Sequence, residues 1–77
     1  MDTTIFQNMA DRWKAPIVAR TEAPTFTGGA ISEKYLANLD SQGLGPAGRF
    51  HIGRKVVYPT NEFVKWLSNR SAPIQKK

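Results

Sequence analysis

Arg49-Phe50-His51-Ile52-Gly53-Arg54-Lys55-Val56-Val57-Tyr58 is the stretch from which the rest of the chain is read. Two runs rich in β-branched and aromatic residues flank Gly53-Arg54. Glycine at the first position of a two-residue loop fits a type II′ hairpin turn. The pairing dictated by that turn puts Phe50, Ile52 and Val57 on one face and turns Arg49 and His51 outward. Arg54 then occupies the tip with Lys55 beside it, so the hairpin projects cations. Pro59 closes the second strand, because it has no N–H to give to a ladder.

Downstream, Thr60 is expected to cap a last helix whose apolar side is Phe63, Val64, Trp66 and Leu67. Ser71-Ala72-Pro73 ends it and leaves a basic tail. Upstream, Ser32 is placed to cap a helix, with Ile31 before it and Leu36 four positions after it as a hydrophobic staple. Tyr35, Leu36 and Leu39 are expected to form its buried stripe, and Glu33, Lys34, Asn38, Ser41 and Gln42 its polar face, up to Gly43. A shorter helix is predicted over Arg20–Phe26, capped by Thr21 and stopped by Gly28-Gly29. At the amino end Thr4-Ile5-Phe6-Gln7 has the form of a capping box. Ile5, Phe6, Met9 and Trp13 follow as one apolar stripe on a helix ending near Lys14. Packing within the domain or a dimer contact would each cover that stripe.

The chain has 77 residues and no cysteine, which fits one small domain without disulfides or thiolate metal sites. A domain this short buries only roughly 60% of its unfolded surface, so its stability is thin. No apolar run approaches the roughly 20 residues of a membrane span, and the amino end lacks the basic start of a secretory leader. A soluble, cytoplasmic protein is expected, with no membrane association. Charge is divided unevenly. Residues 1–40 carry four Lys/Arg against five Asp/Glu, whereas residues 41–77 carry seven against one. A carboxy-terminal half with a net charge of +6 suits a polyanion, because each phosphate neutralised releases counterions.

Other chemistry finds little support. Gly43-Leu44-Gly45-Pro46-Ala47-Gly48 matches G-x-G-x-x-G by letter, but a dinucleotide loop follows a strand and opens a helix, and here the order is reversed. Asn69-Arg70-Ser71 is a glycosylation acceptor only by letter. The single histidine, His51, lies on a hairpin strand, and the six carboxylates are scattered. No enzyme, metal, cofactor or small-molecule ligand is expected.

What remains is mainly α with a small β-hairpin: helix, glycine turn, helix, basic-tipped hairpin, closing helix. That order is the layout of a winged helix-turn-helix with an extra N-terminal helix. The expected division is an N-terminal helix and linker over 1–17, the winged domain over 18–70 and a disordered basic tail over 71–77. The major groove of duplex DNA admits one α-helix, whose amino-terminal residues reach base edges while its flanks meet phosphates. Lys34, Tyr35 and Asn38 are the expected base readers: Asn38 could pair bidentately with adenine, Lys34 could bond guanine or a phosphate, and Tyr35 is open between a reader and a core ring. The Thr27 and Ser32 hydroxyls would hold the backbone, Arg49 and Lys55 would clamp phosphates, and Arg54 would enter a minor groove. His51 is taken as a DNA-facing or surface residue.

From Val18 to Leu67 the chain resembles the small winged helix-turn-helix proteins of the excisionase and MerR-like group, which includes AlpA-like phage regulators. The resemblance rests on Glu22-Ala23, Ser32-x-Lys34-x-Leu36, the wing Ile52-Gly53-Arg54-Lys55-Val56-Val57-Tyr58, and Trp66-Leu67. It departs in the longer, glycine-rich turn Thr27-Gly28-Gly29-Ala30-Ile31 and in Asn38, where many members carry arginine. The resemblance implies sequence-specific binding of double-stranded DNA. The implied role is that of a recombination directionality factor for a mobile genetic element or bacteriophage, or of a transcription regulator. An integrase and further copies of the chain on adjacent sites are the partners that go with it. The alternative is a protein-interaction module that docks through the N-terminal apolar helix. RNA binding ranks lower, because most aromatics fall on expected core faces.

Overall fold

A computed structural model describes residues 4–74. The order is α1 (Thr4–Arg12), β1 (Ile17–Ala19), a 3-10 turn (Arg20–Glu22), α2 (Ala23–Phe26), α3 (Glu33–Ser41), β2 (Phe50–Ile52), β3 (Lys55–Pro59) and α4 (Thr60–Asn69). Four α-helices thus accompany a three-stranded antiparallel sheet of order β1-β3-β2 among the described residues. None of these helices is long and apolar enough to cross a membrane.

The hairpin forms as its turn chemistry requires. Phe50 pairs with Val57, His51 with Val56 and Ile52 with Lys55, leaving Gly53-Arg54 as the loop, with Gly53 at φ +60°. That positive φ is the first-position geometry of a II′ turn. The expected grouping of Phe50, Ile52 and Val57 on one face holds, but this is not the face that meets the main core. Val18 lies opposite Tyr58 across β1 and β3, and these two, with Val56, pack into the helical core. Phe50 and Ile52 stay exposed because they lie on the face turned away from that core. Strand alternation puts Arg49 and His51 on the core side instead, level with Val56 and Tyr58, so the expectation that they face outward fails, although both stay exposed at the sheet edge.

β1 has no counterpart in the sequence reading. Three residues are too few for periodicity to register, and their extended form comes from pairing with β3. The same pairing corrects the start of the second helix. Ala19 is held extended at φ −71°, ψ 146°, so a 3-10 turn begins directly after β1 with no side-chain cap, and Thr21 caps nothing. Thr60 is not a cap either. Its N–H donates to the Pro16 carbonyl at 2.8 Å and its hydroxyl to that of Ala15 at 3.0 Å, which ties the start of α4 to the amino-terminal segment.

The core is an edge-to-face series of rings. Trp13 meets Phe26 at 4.9 Å between centroids, Phe26 meets Phe63 at 5.4 Å, and Phe63 meets both Tyr58 at 5.3 Å and Trp66 at 5.7 Å. Such contacts add about 0.5–1.5 kcal/mol each beyond area burial. Each indole N–H has a partner: Trp13 donates to the Ile17 carbonyl and Trp66 to that of Leu44, both at 2.8 Å. The stripe of α1 is covered from within, since Phe6, Met9 and Trp13 pack on this core, while Ile5 stays 59% exposed. Of the tail expected over 71–77, Ser71 donates its hydroxyl to the Leu67 carbonyl, residues 72–74 follow without regular structure, and residues 75–77 lie outside the described region.

Candidate functional site

α3 is set by its start. The Ser32 hydroxyl accepts the Tyr35 N–H at 3.0 Å, and Ile31 and Leu36 are both buried, so cap and staple form together. Leu36, Leu39 and Asp40 turn inward. At about 100° per residue this leaves Lys34, Asn38 and Ser41 on the opposite ridge, where all three are exposed. Tyr35 does not belong to the buried stripe. It is 43% exposed on one flank of α3, where its hydroxyl accepts from the Arg70 guanidinium at 2.8 Å. Asp40 takes the inward place instead.

On the other flank stands the hairpin. Glu33, the first residue of α3, lines a cleft of about 390 Å³ together with Arg20, Thr21, Arg54, Lys55 and Val56. The amino end of α3 and the cationic hairpin tip therefore open on the same side. Arg54 and Lys55 are exposed there, and so is His51 on the edge strand. Arg49 is half-exposed with its guanidinium 4.0 Å from Asp40 Oδ1, which turns part of its charge inward.

Thr27 is removed from the set of backbone donors. Its hydroxyl donates to the Ala23 carbonyl at 2.8 Å and accepts the Ile31 N–H at 3.0 Å. A hydroxyl has a single proton, so a phosphate could recruit it only by breaking the turn. Gly28 and Gly29, at φ +64° and +89°, carry the chain through that turn. Ser32 differs, because its oxygen only accepts and its proton is still available.

Beneath the cleft lies a polar network absent from the sequence reading. Arg20 donates through Nη2 to Asp40 Oδ2 at 2.6 Å and through Nε to the Tyr58 hydroxyl at 3.0 Å, while that hydroxyl donates to Asp40 Oδ2. Burial, reinforced by the hydrogen bond to Asp40, pushes the Tyr58 phenol up to about 12. Burial by itself would lower the Arg20 pKa, but its hydrogen bonds to Tyr58 and Asp40 raise it above the ordinary value. The network joins the 3-10 turn, the last turn of α3 and β3, the three elements whose relative placement sets the cleft. One signal for it was available in the sequence. An acid in the last turn of a helix opposes the helix dipole, so Asp40 needed a cation from elsewhere.

The loop from α3 to β2 is a plain connection, with one strict demand. A Cβ at Gly45 would overlap Asp40 Oδ1 and stand 3.5 Å from Asp40 Cα. Pro46 is fully buried beside it. Among the described residues no cluster of three or more His, Cys, Asp or Glu could hold a metal. Comparisons with sequence-family profiles, curated proteins and solved structures find no match.

Proposed function

We propose that this chain is a sequence-specific double-stranded-DNA-binding protein, built as a winged helix-turn-helix with an extra N-terminal helix. In this reading α3 enters the major groove, Lys34 and Asn38 read base edges, and the Arg54–Lys55 tip meets the adjacent minor groove or its phosphates. One observation carries the proposal: the amino end of α3 and the cationic hairpin tip line a single cleft, beside an exposed Lys34–Asn38 ridge. A helix beside a cationic projection suits a grooved polyanion. The proposed role is that of an excisionase-like recombination directionality factor or a small transcription regulator of a phage or mobile element. Further copies and an integrase are the proposed partners on DNA.

A mobility-shift titration of duplex DNA tests the reading. Affinity should fall steeply between about 50 and 200 mM salt as counterions are released. Binding that is absent, or flat across that range, would overturn it, and displacement by structured RNA in preference to duplex DNA would redirect it. The second reading, a protein-interaction module, is favoured by Ile5, which lines a surface cleft of about 280 Å³ with Asn8, Met9 and Arg12.

A further inference from the structure

We infer that Arg70, aimed by Tyr35 and Trp66, is a second phosphate-binding arm on the flank of α3 opposite the hairpin, so that α3 would be straddled by cations on both sides. The inference rests on the duplex-DNA reading and adds a residue and a geometry to it.

The helix wheel supplies the placement. Glu33 faces the hairpin cleft, and Tyr35 lies about 200° further round α3, on the other flank. Arg70 comes to that flank from the end of α4. Its Nη2 donates to the Tyr35 hydroxyl at 2.8 Å, and its guanidinium carbon stands 5.0 Å from the centre of the Trp66 ring. Two aromatic side chains from different helices thus hold one arginine, although it is exposed. Ordering a long side chain at the surface costs entropy, which a solvated charge has no reason to bear. A cation needed only at the end of α4 could serve the helix dipole without reaching α3.

The chemistry fits a phosphate. A guanidinium carries five donors in a planar fork, and one contact to Tyr35 leaves a face free to engage oxygens bidentately. The Lys34–Asn38 ridge lies between the two flanks, so a helix seated in a groove would have Arg54 and Lys55 toward one backbone wall and Arg70 toward the other.

The test measures binding to a labelled random-sequence duplex against salt, for wild type, Arg54→Gln, Arg70→Gln and Tyr35→Phe, with thermal melts on each. Arg70→Gln is expected to shallow the log–log salt slope by about 1, as Arg54→Gln does, because each removes one phosphate contact. Tyr35→Phe keeps the charge but loses the acceptor that aims it. It should keep the wild-type slope and weaken binding about two- to tenfold, the worth of one hydrogen bond. A shallower slope for Arg54→Gln with a wild-type slope for Arg70→Gln would overturn the second arm and leave the DNA reading standing. A lowered melting midpoint for Arg70→Gln at an unchanged slope would reduce Arg70 to a helix-end residue. Absence of salt-dependent binding by the wild type would overturn both.

Discussion

The guanidinium of Arg20 and the carboxylate of Asp40 meet at 2.6 Å, and they are the two charges that join the turn before α2 to the last turn of α3. Asp40 is 4% exposed and Arg20 is 22% exposed at the side chain, so the pair is largely withdrawn from water. A buried carboxylate that loses its cation is costly, whereas exchanging the whole pair for apolar groups is often neutral. Arg20→Met should therefore cost about 3–5 kcal/mol, read as a lower urea midpoint, and combining it with Asp40→Leu and Tyr58→Phe, which also removes the phenol that the first two would leave unpartnered, should recover much of it. A triple variant as unstable as the single one would show that the cost does not come from the unpaired carboxylate.

Gly45 is the companion of that pair. An added methyl would force Asp40 Oδ1 aside while Oδ2 is held by Arg20 and Tyr58. Gly45→Ala should lower stability by about 1–3 kcal/mol through that clash, whereas Gly43→Ala, with nothing within 4 Å of its Cβ position, should be strained only by its own φ of +74° and leave Asp40 in place. The comparison is best read by tryptophan fluorescence during denaturation, because Trp66 donates to the carbonyl of the neighbouring Leu44. A Gly45→Ala protein of wild-type stability would mean that the loop yields rather than Asp40.

Tyr58 gives the network a pH signature. Its phenol has an ordinary value of 10.0 and is pushed up to about 12 in the fold by burial and by the hydrogen bond to Asp40. Between those values the folded protein keeps a proton that the unfolded chain has released, so stability falls as pH rises. Its contribution should be complete below pH about 10 and lost as pH passes about 12. Chemical denaturation across that window should show the decline in wild type and a weaker one in Tyr58→Phe. Parallel curves would place the alkaline transition elsewhere.

The proposed DNA contacts separate by role. Asn38 stands on the exposed ridge of α3 and Arg54 at the hairpin tip. Asn38→Ala should cost about 1–3 kcal/mol on a selected site and little on random duplex, as expected for a bidentate base contact. Arg54→Ala should weaken both alike. Equal losses for Asn38→Ala on selected and random DNA would remove α3 as the reader.

Legibility in the sequence followed the range of each interaction. The hairpin loop, the Ser32 cap and the Ile31–Leu36 staple are made by residues within a few positions of one another, and all were legible as residue types at fixed spacing. Thr21 and Thr60 have the composition of caps, but β1 dictates the backbone before the first, and the Ala15 and Pro16 carbonyls claim the second. Tyr35 misled for a related reason. Its spacing suits a buried stripe, yet Asp40 holds the inward position because Arg20 and Tyr58 are there to receive it.

By itself the sequence determined the elements whose energetics are local: a capped helix carrying Lys34 and Asn38, a glycine turn, and a two-residue hairpin with Arg54 at its tip. Only the tertiary structure decided that β1 joins β3, that the Val18–Tyr58 face of the sheet meets the core, and that Asp40 lies buried between Arg20 and Tyr58. It also brought Arg70 to Tyr35, 35 positions away. Turn and cap chemistry acts on neighbours in the chain, whereas strand pairing and the burial of a charge depend on which distant groups are present to satisfy them.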